Sequence, residues 1–89
     1  MSIHKKADVQ PWRISEAVCE GDCLSVRFAD GATVTVPLAK IAPLKGKADW
    51  SRISIQFKGA HIAVPVVDGD YPEHEVPWDV LRWFIKPVW

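Results

Sequence analysis

Cysteine occurs only twice in the 89 residues, methionine and tyrosine once each, and the five glycines are scattered rather than clustered. Net charge is missing altogether, because eleven Lys and Arg offset eleven Asp and Glu. Each shortage excludes something. Cys19 and Cys23 are too few for a disulfide framework, and a C-x3-C spacing with no second pair is not a zinc pattern. Scattered glycines provide no phosphate-cradling loop. No apolar run approaches the ~20 residues of a membrane-spanning helix. His4, His61 and His74 share no metal-ligand spacing, and no serine sits in a nucleophile-elbow motif. The segment Met1–Asp8 has neither an apolar core nor a small-residue cleavage site. It does not read as a secretory leader, and the expected compartment is the cytoplasm.

What is present is apolar content: 48% of the chain, including five Trp and three Phe. That suffices for one small domain. Residues 1–11 are polar and unpatterned and read as a flexible arm; residues 12–89 read as the single domain. From Ile14 onward apolar and polar residues alternate, the mark of half-buried strands. Phe28-Ala29-Asp30-Gly31-Ala32 predicts a three-residue hairpin loop with Gly31 in a left-handed bulge position. That register sets Phe28 opposite Ala32, Val26 opposite Val34 and Leu24 opposite Val36, all on one face. A loop over Glu20-Gly21-Asp22 likewise predicts Val18 opposite Leu24, Ile14 opposite Phe28 and Cys19 opposite Cys23. A three-stranded antiparallel meander over about 13–37 follows.

Further on, Asp49 is placed to cap a single turn that carries Trp50 inward. Ile53, Ile55 and Phe57 alternate, Lys58-Gly59 turns, and Ile62, Val64 and Val66 alternate back as a second hairpin. Pro65 lacks an N–H and suggests an edge strand or a strand that ends there. Asp68–Glu75 reads as an acidic loop, and Pro77–Ile85 as a helix. The expected fold is therefore α+β: an antiparallel sheet of about five strands with a C-terminal helix on its apolar face. A small five-stranded β-barrel with a helix is the alternative.

The order of these features carries a likeness. Phe28-Ala29-Asp30-Gly31, the strand ending Val36-Pro37-Leu38, Asp49-Trp50, and Pro65, Asp68 and Asp70 after Ile62 resemble the bacterial domain-of-unknown-function 2442 family. Ala63 and Val64 stand where that family carries His-Trp, so a site built on those two side chains does not transfer. The resemblance implies a small α+β module with no established activity. Some of its members are encoded beside another small protein, in an arrangement like a toxin–antitoxin pair, which implies an accessory role of that kind.

The residues themselves point to contact surfaces rather than chemistry. Asp68, Asp70, Glu73, His74 and Glu75 lack calcium-loop spacing and read as a solvated loop. No catalytic residue, cofactor, metal or small-molecule substrate is expected. Charge is uneven: about −1 over residues 1–39, +4 over 40–58 and −3 over 59–89. Lys45, Lys47 and Arg52, with Trp50 beside them, are candidate phosphate contacts for a nucleic-acid-binding accessory protein. Overall neutrality makes nucleic acid the lesser partner. The predicted helix is apolar nearly all round, beyond the ~100° stripe that one sheet face covers. Trp78, Leu81, Trp83, Phe84, Ile85 and Trp89 are therefore the candidate interface with a protein partner or a second copy, the other reading being a helix wrapped within the monomer by the N-terminal arm and Trp12. A small metal-dependent enzyme, using His61 or His74 with a nearby carboxylate, is the remaining alternative.

Overall fold

The computed structural model describes residues 10–85. Seven strands and one short helix follow in chain order: β1 (Ile14–Glu20), β2 (Cys23–Phe28), β3 (Thr33–Pro37), β4 (Lys47–Ala48), β5 (Ser54–Gln56), β6 (His61–Val67), β7 (Glu73–Pro77) and α1 (Trp78–Arg82). They form two sheets, a three-stranded meander β1-β2-β3 and a four-stranded sheet in which β6 pairs with β4, β5 and β7. Among the described residues no closed barrel forms. The class is α+β as expected, but the five strands foreseen in one sheet are seven in two.

The β2–β3 hairpin has the expected register, with Leu24 opposite Val36 and Val26 opposite Val34. Gly31 takes φ 91°, and the Asp30 carboxylate accepts the Ala32 N–H at 3.0 Å, so the turn chemistry selects the three-residue loop. The β1–β2 hairpin differs from expectation. Glu20 pairs with Cys23 across the two residues Gly21-Asp22, with Gly21 at φ 62° supplying the positive φ of a tight hairpin's first central residue. Cys19 therefore faces Leu24, and Val18 faces Ser25. One irregularity between Ile14 and Glu16 restores the pairing of Ile14 with Phe28. This bulge turns Ala17 and Cys19 towards the interior side and leaves Val18 on the exposed face, because a one-residue slip exchanges the two faces of a strand.

The second sheet corrects three further expectations. Pro65 lies inside β6, which is the central strand and not an edge. Its carbonyl accepts the Asp49 N–H, so the nitrogen without a proton points the same way. In that direction β4 has ended at Ala48 and β5 begins only at Ser54, the gap being filled by the 3-10 turn Trp50–Arg52. The missing donor thus falls where the ladder is already interrupted. The acidic stretch is strand in its second half: in β7, Val76 is buried, His74 half-buried, and Glu73 and Glu75 exposed. Phe57 does not continue β5. Phe57, Lys58 and Gly59 have φ of 52°, 55° and 92°, a left-handed turn that leaves Phe57 74% exposed.

One apolar interior lies between the sheets. Ile14, Leu24, Val26, Phe28, Val34 and Val36 meet Ile62 and Val76, with Ile41 and Leu81 closing the remainder. Leu81 is fully buried. The predicted helix is shorter as an α-helix than expected. Beyond Arg82 the chain tightens, with Phe84 N–H bonding Leu81 O and Ile85 N–H bonding Arg82 O, the i→i−3 pattern that ends helices. Gly59 sits where a Cβ would stand 2.7 Å from the Ile14 carbonyl oxygen, so the β5–β6 turn presses directly on the start of β1.

Two core predictions follow from this packing. Leu81→Ala opens a cavity that a five-residue helix cannot collapse into and should cost about 2–5 kcal/mol. Gly59→Ala should cost at least ~1–2 kcal/mol from the left-handed conformation alone, with the backbone clash added. Urea titrations followed by circular dichroism check both.

Candidate interaction surface

The aromatic excess near the C-terminus is divided by the fold. The Trp78 ring stacks on Trp12, centroids 4.8 Å apart, so the segment before β1 covers one side of α1. Phe84 and Ile85 are half-buried against the core cluster. Leu81 belongs wholly to the interior and presents nothing outward. What remains outside is Trp83, 84% exposed, with Val80 one turn earlier at 38%. Trp89 and the arm residues 1–9 lie outside the described residues.

The end of α1 is held in place. Arg82 donates to the Asp30 carboxylate at 3.2 Å, and its guanidinium lies 4.7 Å from the centroid of the Phe28 ring. A cation packed on an aromatic face with a carboxylate at its edge is well fixed. Trp83 is thus carried on a rigid support beside the β2–β3 turn. The Ala32 N–H, and after it Arg82, hold the Asp30 carboxyl below the usual aspartate range, against partial desolvation.

The basic segment 40–58 carries β4, the turn Trp50–Arg52 and β5. Asp49 accepts both the Ser51 hydroxyl and the Ser51 N–H, which hold its pKa low and form the expected cap. Trp50 is turned inward as predicted, half-buried against the core cluster, with its ring perpendicular to that of His74 and the centroids 6.4 Å apart. The His74 Nε2 lies 2.7 Å from the Ile41 carbonyl oxygen, which makes that nitrogen the protonated donor. Lys45 lies 3.6 Å from Asp70, while Lys47 and Arg52 are exposed on β4 and on the turn after it.

Sequence reasoning missed an apolar patch beside these lysines. Leu44, Tyr71 and Val67 are exposed, and a cleft of about 230 Å³ runs between Pro43, Leu44, Val66, Tyr71 and His74. Its walls are drawn together because Gly46 and Gly69 cross closely: a Cβ on Gly46 would lie 2.7 Å from Gly69 Cα. The available signals were Tyr71-Pro72 within an acidic stretch and Leu44 after Pro43. Both were subsumed in the loop reading.

On the outer face of the second sheet, His61 Nε2 lies 3.2 Å from Gln56 Oε1 and 3.7 Å from Glu75 Oε2, and Gln56 donates to Ser54 Oγ at 3.1 Å. A histidine with a carboxylate in reach is therefore present. Its serine, however, is reached only through an amide, which does not transfer a proton as a base does. Among the described residues no three His, Cys, Asp or Glu side chains gather as metal ligands. No helix among them is long and apolar enough to cross a membrane. Comparison with family models, with curated proteins and with solved structures gives no match.

The depressed pKa values of Asp30 and Asp49 make a pH prediction. A carboxylate whose folded pKa is lowered adds stability above its unfolded value of about 3.9. That contribution is lost as pH falls through the lower folded value. Unfolding free energy should decline from about pH 4 downward, and Asp30→Asn should lower stability at neutral pH while flattening the acid decline. Urea titrations across a pH series test this.

Proposed function

We propose that this chain is a non-catalytic protein-interaction module that associates with a second copy through a surface centred on Trp83. The observation that carries the reading is the 84% exposure of Trp83 on an end of α1 fixed by Arg82 and Asp30. A tryptophan ring enclosed at an interface buries ~150–250 Å², worth on the order of 4–6 kcal/mol at 25 cal/mol per Å². Tryptophan on a rigid support is the typical anchor of an interface hot spot. Opposite net charge on segments 40–58 and 59–89 favours approach of one copy to another. Two-fold homodimers are the commonest assemblies.

The likeness to the domain-of-unknown-function 2442 family supports the same reading: it is carried by Phe28 to Gly31, Asp49-Trp50, Pro65, Asp68 and Asp70, and that family has no established activity. An accessory role in a toxin–antitoxin-like pair, in the bacterial cytoplasm, follows from that likeness. Light scattering across a dilution series should give a mass that rises with concentration towards that of two chains. Trp83→Glu should weaken association ~30-fold or more, the scale of a hot-spot tryptophan, with an unchanged far-ultraviolet dichroism spectrum. Undiminished association in the Trp83→Glu protein would remove Trp83 from the surface.

A further inference from the structure

We infer that the free edge of β3 is the seam of that association, pairing antiparallel with β3 of a second copy about a two-fold axis at Thr35. The inference rests on the reading of the chain as a self-associating module, and adds the backbone groups that do the joining. The hydrogen bonds from Phe28 N–H to Ala32 O and from Leu38 N–H to Asp22 O fix the parity of β3. Val34 and Val36 bond inward to β2, so the amide groups of Thr33 and Thr35 and the carbonyl of Pro37 point away from it. Among the described residues nothing pairs with them. Thr33, Thr35 and Pro37 are all exposed.

Edge strands of monomers ordinarily are very short or carry lysine, proline, a bulge or a covering segment to prevent pairing. β3 reads Thr-Val-Thr-Val-Pro: no charge, no bulge, and proline only at its last position.

The strand is complementary to itself. About an axis at Thr35, the Thr35 N–H of each copy meets the Thr35 carbonyl of the other. Thr33 N–H then meets the Pro37 carbonyl, so every outward donor of β3 finds an acceptor. Proline stands at the one outward position that has no donor to offer. Along the exposed face, Thr35 meets Thr35 and Thr33 meets Pro37. Arg27, opposite Thr33 in its own sheet, lies in the row that ends at Glu20 of the second copy, which pairs with Cys23 there. No like charges face one another across the seam, and threonine pairs stabilise such contacts. On the other face, Val34 and Val36 are already buried in each copy, so the two interiors become continuous through a six-stranded sheet.

The axis also carries the Pro37–Leu38 end of the second strand towards the end where Arg82 holds α1 against Asp30. Trp83 thus flanks the seam and supplies apolar area that four backbone hydrogen bonds lack. A third copy has no free β3 to pair with, so the assembly closes at two.

Thr35→Lys tests the seam, since it puts two ammonium groups face to face across the axis while leaving an exposed side chain of the monomer. Thr33→Lys is the second variant. Light scattering and amide hydrogen exchange are read on wild type, both lysine variants and Trp83→Glu. The expected result is a wild-type dimer whose dissociation constant rises ~10-fold or more in Thr35→Lys, as edge lysines act in natural sheets. The Thr33 and Thr35 amides should exchange freely when dilute and become protected as concentration rises. A dimer that Trp83→Glu dissolves but both lysine variants leave intact, with those amides still unprotected, overturns the seam while the module reading stands. A wild-type chain that stays monomeric up to ~1 mM, the weakest range of specific association, overturns both.

Discussion

Two sheets share one interior, and neither closes it alone. The meander offers Leu24, Val26, Phe28, Val34 and Val36, the second sheet offers Ile62 and Val76, and the open side is stopped by Leu81 and Ile41. Because α1 has only five helical residues, its hold depends on its surroundings: Trp12 against Trp78 on one flank, Arg82 against Phe28 and Asp30 at its end. An isolated helix of this length has no stability of its own in water. The same packing that seals the core therefore decides which apolar side chains of the C-terminal segment are used internally and which face outward.

That division reshapes the functional reading. A helix apolar all round presents, once folded, a single large exposed ring and a partly exposed valine. Of the remainder, Leu81 is buried, while Trp78, Phe84 and Ile85 are half-buried against Trp12 or the core. In the proposed association, a compact aromatic anchor beside the free edge of β3 would act differently from a broad greasy face: the ring would contribute area, and the edge direction. The outer face of the second sheet, with His61, Gln56, Ser54 and Glu75, is by contrast satisfied internally. It forms a polar surface in which His61 lies between Gln56 and Glu75.

The parts legible in the sequence are those governed by local chemistry. Asp30-Gly31 dictated its loop and with it the β2–β3 register. Asp49 dictated the turn that brings Trp50 inward, and the alternation of Ile53 and Ile55 with Ile62 and Val64 gave the second hairpin. What was not legible depended on distant partners. The bulge after Ile14 exists because Ile14 and Ala17 must both face the interior. The strand character of Glu73–Pro77 is conferred by β6, since only Val76 and His74 carry the alternation. Pro65 is tolerated at the centre of a sheet because a turn thirteen or more residues upstream, Trp50–Arg52, breaks the ladder beside it. Of the candidate surface, the exposure of Trp83 and the burial of Leu81 were indistinguishable by composition, and only the direction from which the core approaches separates them.

The bulge in β1 also governs the chain's thiol chemistry. With Cys19 set against Leu24 and Cys23 against Glu20, the two sulfur atoms belong to opposite sides of one sheet, and an intramolecular bridge would require the hairpin to slide by a residue and evert its apolar row. Oxidants therefore have no local cross-link to form here. Each cysteine answers to its own side of the sheet, Cys19 beside the interior and Cys23 towards solvent, so alkylation rates measured separately at the two positions would report which side has loosened.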